Sequence, residues 1–236
     1  GYYPSAAQMQ ALPLSQRPLV AVIDTGVDMN HPAFRAPGSN STHANDGGMI
    51  QRNLARSFHL GNNGDDPNAA GYDPDPEKAM DSFGHGTSVA GLIGAAANSE
   101  FGIPGVGITC RIVPVRIYGA NGDGNDSDLL RGIRYAVNAG CVVINVSART
   151  NFGYSPAFQD AVNYAWDRNA LVVAAIGNDA KDTVQEPTFR RYPASLSRVL
   201  AVGGTIYAGV SGRGTYPLTW EETDDCLLYT SPSPRD

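Results

Sequence analysis

Ser82-Phe83-Gly84-His85-Gly86-Thr87-Ser88-Val89-Ala90-Gly91-Leu92-Ile93-Gly94-Ala95-Ala96-Ala97 is the stretch on which the reading of the chain turns. Glycines flank a histidine, and Val89, Ala90, Leu92 and Ile93 follow with small residues between them. Such a run predicts a helix packed tightly on a sheet, because few bulky side chains hold it away. His85 falls in the first turn of that helix. Gly84 and Gly86 clear space around the imidazole and permit backbone angles closed to other residues. Taken alone, a histidine there reads as a satisfied residue at a helix start.

A second stretch changes that reading. Leu19-Val20-Ala21-Val22-Ile23-Asp24-Thr25-Gly26-Val27-Asp28 is apolar up to a carboxylate. An unbroken apolar run of this length predicts a strand buried on both faces, as in a parallel sheet. Asp24 then stands at the strand's carboxyl end, where open α/β sheets place their sites. An Asp there and a His at a helix N-terminus are two thirds of a nucleophilic triad. The plainer alternative for Asp24 is a residue capping the turn before Gly26.

Val22-Ile23-Asp24-Thr25-Gly26-Val27-Asp28 and His85-Gly86-Thr87-Ser88-Val89-Ala90-Gly91 resemble the Asp and His signatures of the subtilisin-like serine proteases. The resemblance continues through Val143-Ile144-Asn145-Val146-Ser147 and Val172-Val173-Ala174-Ala175-Ile176-Gly177-Asn178. It runs on to Tyr192-Pro193-Ala194 and Val199-Leu200-Ala201-Val202-Gly203. It covers residues 15–205 in the family's order. It implies a doubly wound, mostly parallel α/β sheet with helices on both faces, incomplete at the C-terminus. The division it implies is an N-terminal arm over 1–18 and a peptidase domain over 19–225.

Elements expected from pattern are strands at 19–24, 111–117, 142–146, 171–175 and 198–203, and helices from His85, at 127–139 and at 156–169. Alternation of this kind argues a parallel sheet. Ser127 is the expected N-cap of the second helix. Pro114 is awkward inside a strand. Residues 36–80, rich in Gly, Asn, Asp and Pro, read as a long surface excursion. Gly102-Ile103-Pro104-Gly105-Val106-Gly107 lacks the spacing of a dinucleotide loop.

The totals exclude several classes. The 236 residues suit one large domain. A net charge of −6 without a basic patch argues against a nucleic-acid partner. No run approaches the ~20 apolar residues of a membrane span, and the start Gly1-Tyr2-Tyr3-Pro4 lacks a basic and apolar leader. The 3 cysteines offer no disulfide framework; Cys110 and Cys141 are expected as free, buried thiols on strands that are not neighbours. Cys226-Leu227-Leu228-Tyr229-Thr230-Ser231-Pro232-Ser233-Pro234-Arg235-Asp236 back-translates to a transposase-type sequencing adapter. Residues 226–236 are therefore expected to be an artefact, against the alternative of a Pro/Ser-rich tail.

By resemblance, Asp24 orients His85, and the Asn178 side chain completes an oxyanion hole. The family's nucleophile motif, a Gly-Thr-Ser-Met-Ala-like run ending in Pro, does not occur between Asn178 and Asp225. Gly86-Thr87-Ser88 imitates it, but Ser88 lies on the helix of His85 with no following Pro, and is read as a helix residue. The nucleophile is expected to lie beyond the sequence given, and the chain as given is expected to be inactive. The substrate edge implied by resemblance comprises Tyr118 to Asp126, with Asp123, Gly124 and Asp126, and Ser147 to Thr150, with Ser147, Ala148 and Arg149. Arg149 stands where the family has glycine, which alters the expected pocket wall. Asp123 and Asp126 on that rim are expected to favour a basic substrate residue, against the commoner alternative of exposed loop carboxylates.

The resemblance implies protein or peptide substrates, a monomer, a secreted or extracytoplasmic place, and no cofactor required for the chemistry. No metal ligands are assigned. Asn98 matches a ligand of the family's tight calcium site, but Ala33 stands where that site has an Asp, which should weaken a hard-cation site. The cluster Asp123, Asn125, Ser127 is too short for an EF-hand loop. A non-catalytic, subtilisin-like binding protein is the alternative. A Gly-Thr-Ser motif downstream would separate the two.

Overall fold

The computed structural model describes residues 13, 16–36, 38–42, 48–59, 74–97, 102–148, 153–177 and 190–203. Six parallel strands form one sheet in the order β2-β3-β1-β4-β5-β6: β1 Leu19–Asp24, β2 Arg56–Ser57, β3 Arg111–Arg116, β4 Val143–Val146, β5 Leu171–Ala175 and β6 Val199–Val202. β1 lies in the middle, in register with β3 from Leu19↔Arg111 to Asp24↔Arg116 and with β4 from Val20↔Val143. From β1 the chain runs to the edge strand β2, returns to β3 beside β1, and then crosses to β4 on the other side. The strand order therefore switches at β1, and the crevice that results opens at its carboxyl end, beside Asp24.

The continuous apolar run of β1 is explained by two cores. Ala21 and Ile23 face one cluster with Val113, Val115, Ile144, Val172 and Ala174. Val20 and Val22 face the other with Ile112, Met29, Phe34 and Ala90. Helix α1, His85–Gly94, covers the second face. α2, Asp126–Asn138, and α3, Pro156–Trp166, cover the first. α2 buries Leu129, Gly132, Ile133, Ala136 and Val137, and α3 buries Phe158, Ala161, Val162 and Ala165. Both are the spacing of one helical face. Burying a side chain such as Phe158 contributes about 1.5–3 kcal/mol. On the α1 side the sheet is less covered toward its far edge: Leu200 and Val202 of β6 are 43% and 48% exposed.

Several expected boundaries move. β3 ends at Arg116, β4 begins at Val143 and β6 runs from Val199 to Val202. α2 begins at Asp126 with Asn125 as its N-cap, so Ser127 is not the cap. The reason is local: the Tyr118↔Gly124 bridge ends the preceding turn and releases the chain one residue later. α3 ends at Trp166 rather than 169, because Asn169 turns into the left-handed region with φ 59°. Residues 36–80 are not purely a surface excursion. Met49, Ile50, Ala55, Ser57 and Phe58 are buried, and Arg56–Ser57 adds the edge strand β2.

Pro114 sits in β3 opposite Val22 without breaking the sheet. The Ile112 N–H donates to Met49 O, on the β2 side, and alternate residues point the same way. The missing Pro114 N–H thus falls between the Ile50↔Ile112 bridge and β2, where the 3-10 turn Arg52–Leu54 interrupts pairing. Cys110 and Cys141 are free and buried, at the starts of β3 and β4, which β1 separates. Burial pushes the Cys110 thiol up to about 11 and the Cys141 thiol up to about 12. Among the described residues, no helix is long and apolar enough to cross a membrane.

Candidate active site

Asp24 is the last residue of β1, and its side chain is 1% exposed. Its Oδ1 accepts from the Thr25 backbone N–H at 2.7 Å and is 2.7 Å from His85 Nδ1. Its Oδ2 is buried and has no partner among the described residues. Burial raises the Asp24 carboxyl above the ordinary value, although the hydrogen bonds from His85 and the Thr25 N–H oppose that shift. A carboxylate held this way gains from a positive charge on His85 and fixes which ring nitrogen carries the proton toward it.

His85 begins α1 at a chain reversal, where Gly84 occupies φ 101°. Its side chain is 49% exposed, so the ring bridges the buried carboxylate and open solvent. The close approach of α1 to β1 requires glycine at 86. A Cβ on Gly86 would fall 2.1 Å from Gly26 O and 3.0 Å from Asp24 Cβ. The Gly86 N–H instead donates to Thr25 Oγ1 at 2.9 Å. Helix and strand are thus locked residue beside residue: His85 to Asp24, Gly86 to Thr25.

The pair floors a cleft of about 850 Å³ beyond the carboxyl ends of the central strands. One rim is Tyr118 to Asp126, a tight turn closed by Gly119 N–H to Asp123 O at 2.8 Å and by the Tyr118↔Gly124 bridge. The other is Ser147 and Ala148 after β4, with Ala175 and Gly177 at the end of β5 behind them. Phe83, 54% exposed, stands between His85 and the first rim.

The sequence profile described as the Subtilase family matches residues 15–222. The chain belongs to the subtilase family. A thermophilic serine proteinase of Bacillus sp. (strain AK1) is 38% identical over 184 residues, covering 78% of this chain and 37% of that protein. Thermitase of Thermoactinomyces vulgaris is 32% identical over 186 residues, 79% of this chain and 54% of its own. A cell wall-associated protease of Bacillus subtilis (strain 168) is 35% identical over 187 residues, 79% of this chain and 17% of its own. Among solved structures, the S41 Psychrophilic Protease superposes with a TM-score of 0.57 at 27% identity, over 78% of this chain and 52% of that one. This subtilase chain therefore spans about half or less of the length of these relatives.

Of the residues singled out from sequence, Asp24 and His85 come together. Asp123, Gly124, Asp126, Ser147 and Ala148 line the same cleft. Asn178, Arg149 and Asn98 lie outside the described residues. Ser88 is exposed on α1, and its hydroxyl donates to Gly84 O at 3.0 Å, within its own helix rather than to His85. Ala33 sits in the 3-10 turn Pro32–Phe34, where its carbonyl accepts from Ala96 N–H at 2.8 Å and its side chain offers no oxygen. That position does not fit a calcium carboxylate ligand. Among the described residues, no cluster of His, Cys, Asp or Glu could hold a metal.

Sequence reasoning missed Thr25, Asp81 and Phe83. Asp81 carries the clearest overlooked signal: an Asp shortly before Gly84-His85, in a position to turn back onto its own backbone as Asx turns do.

Proposed function

We propose that the protein is a serine endopeptidase that cleaves peptide bonds in protein or peptide substrates. Asp24 and His85 are two members of an Asp-His-Ser triad, and the nucleophilic serine lies outside these 236 residues. The observation that supports this most is the 2.7 Å contact between His85 Nδ1 and the buried Asp24 Oδ1 at the floor of an open cleft. With Nδ1 committed to Asp24, Nε2 is the nitrogen left to take the serine proton as Oγ attacks the peptide carbonyl. The same nitrogen then returns the proton to the leaving amine. Asp24 stabilises the imidazolium formed between those steps. Asn178 donates to the oxyanion, a contribution of about 3–4 kcal/mol to the barrier.

An extended substrate pairs along the rims Tyr118–Asp126 and Ser147–Thr150 as an added strand. Arg149 forms part of the wall there. Asp123 and Asp126 give a mild preference for Lys or Arg in a non-primed subsite, about 0.2–1 kcal/mol and weakened by salt. The enzyme acts as a monomer outside the cytoplasm and requires no cofactor for the chemistry.

Determining the coding sequence downstream of codon 225 and assaying the complete protein on casein tests this reading. The expected result is a Gly-Thr-Ser motif followed by Ala and Pro, with hydrolysis abolished in His85→Ala. Another residue in place of that serine, with no hydrolysis, would establish a binding protein instead. A peptide library read at low and high salt tests the rim: a basic preference indifferent to salt and to Asp126→Asn would remove Asp123 and Asp126 from the argument.

A further inference from the structure

We propose that Asp81 is the positioning residue that holds His85 in register with Asp24, by dictating the hydrogen-bond direction of Thr25 and Thr87. The role follows from the proposed function only in that His85 is taken to be the base. The geometry itself stands apart from it.

Asp81 Oδ1 accepts from Thr25 Oγ1, Phe83 N–H and Gly84 N–H, each at 2.9 Å. Oδ2 accepts from Thr87 N–H at 3.0 Å and from Thr87 Oγ1 at 2.6 Å. These bonds replace the side-chain cap that α1 lacks, since Gly84 at the N-cap has none to offer. Burial pushes the Asp81 carboxyl up, but the bonds from Gly84, Thr87 and Phe83 outweigh it and hold the group below its usual range. It is therefore a carboxylate near neutral pH, and a carboxylate is acceptor-only.

A hydroxyl has one proton, and Asp81 claims it from both threonines. Thr25 Oγ1 is left to accept from Gly86 N–H at 2.9 Å, and Thr87 Oγ1 to accept from Asp28 N–H at 2.8 Å. The first of these bonds joins the residue after His85 to the residue after Asp24. It requires the Thr25 proton to point away from Gly86, and the bond to Asp81 holds it there. A cap that served α1 alone would need no bond to Thr25. The turn that carries Asp81 is itself clamped to β3 and the cleft rim by Arg116, which donates to Met80 O at 3.0 Å, Ser82 Oγ at 3.2 Å and Tyr118 O at 2.8 Å.

Asp81→Asn is nearly isosteric but cannot satisfy this pattern. Whichever way the amide is turned, its NH2 faces backbone N–H donors, those of Phe83 and Gly84 on one side or that of Thr87 on the other. Thr25→Val removes the oriented hydroxyl, and Thr25→Ser keeps it. The test is the exchange rate of the His85 Nδ1–H proton with water, followed by NMR on the labelled chain, with circular dichroism and the amide shifts of β1 and β4 reporting the fold. Wild type and Thr25→Ser are expected to show a slowly exchanging Nδ1–H. Asp81→Asn and Thr25→Val are expected to exchange at least tenfold faster with the fold intact. A folded Asp81→Asn within twofold of wild type would overturn the proposal, as would a wild type with no protected Nδ1–H. Should Asp81→Asn fail to fold, Thr25→Val decides by the same measure. A complete protein without peptidase activity would refute the functional reading and leave these rates as they are.

Discussion

Gly86→Ala is the substitution for which local propensity and tertiary geometry give opposite answers. Alanine in place of glycine inside a helix ordinarily stabilises by about 0.5–1 kcal/mol. At Gly91, in the same helix, an added Cβ meets nothing within 4 Å, so Gly91→Ala should show that gain. At Gly86 the added Cβ would lie 2.1 Å from Gly26 O and 3.1 Å from Asp24 Oδ1. Neither neighbour is the loose end of a flexible side chain. Reaching an ordinary 3.4 Å separation requires movement of about 1.3 Å, which carries the start of α1 away from the end of β1. Overpacking of this kind costs about 1–3 kcal/mol. The 2.7 Å contact between His85 and Asp24 would open with it, and a misplacement of about 1 Å costs roughly a hundredfold in rate. Urea melts of the two variants, with kcat/KM in the complete enzyme, provide the assay. Gly86→Ala as stable as Gly91→Ala, or fully active, would refute the claim that contact between helix and strand sets the site.

Two further predictions follow from burial. Asp24→Asn tests the raised carboxyl. Because the folded-state pKa lies above the unfolded one, the stability that the acid form of Asp24 confers is present below the unfolded value and lost as pH rises through the folded value. Asp24→Asn should therefore gain on wild type as pH rises from 3 to 7 in urea midpoints, while the complete enzyme loses about 10⁴-fold in kcat; a variant that loses ground to wild type as pH rises would contradict it. Cys110 and Cys141, with thiols pushed up to about 11 and about 12, should resist a disulfide reagent at pH 8 in the native chain and react once urea unfolds it; mass spectrometry of their peptides reads the result, and native labelling would show that β3 and β4 open locally.

What could be read beforehand depended on how strongly one element determines its own residues. β1 is legible to the residue because burial on two faces demands an unbroken apolar run, and the carboxylate that ends it cannot enter either core. The His85 helix is legible because close packing requires its small residues. β2 is not, since two residues on a polar edge, Arg56 and Ser57, carry no periodic signal. The starts of α2 and the end of α3 are set from outside the helices, by a bridge at Gly124 and a left-handed Asn169. Of the site, the pair Asp24 and His85 is visible because each closes a recognisable run. Asp81 is hidden because its importance lies in five hydrogen bonds, to Phe83, Gly84 and Thr87 that follow it and to Thr25 just beyond β1, and spacing alone does not display hydrogen-bond direction.

In the proposed mechanism His85, held by Asp24, activates a serine for attack. Covalent labelling of the complete protein with a fluorophosphonate tests it most directly, because the reagent reports the activated nucleophile without assuming a substrate. One labelled serine, distinct from Ser88, is expected, with labelling abolished by His85→Ala. Absence of labelling under conditions that label another subtilase, or a label on Ser88, would contradict it.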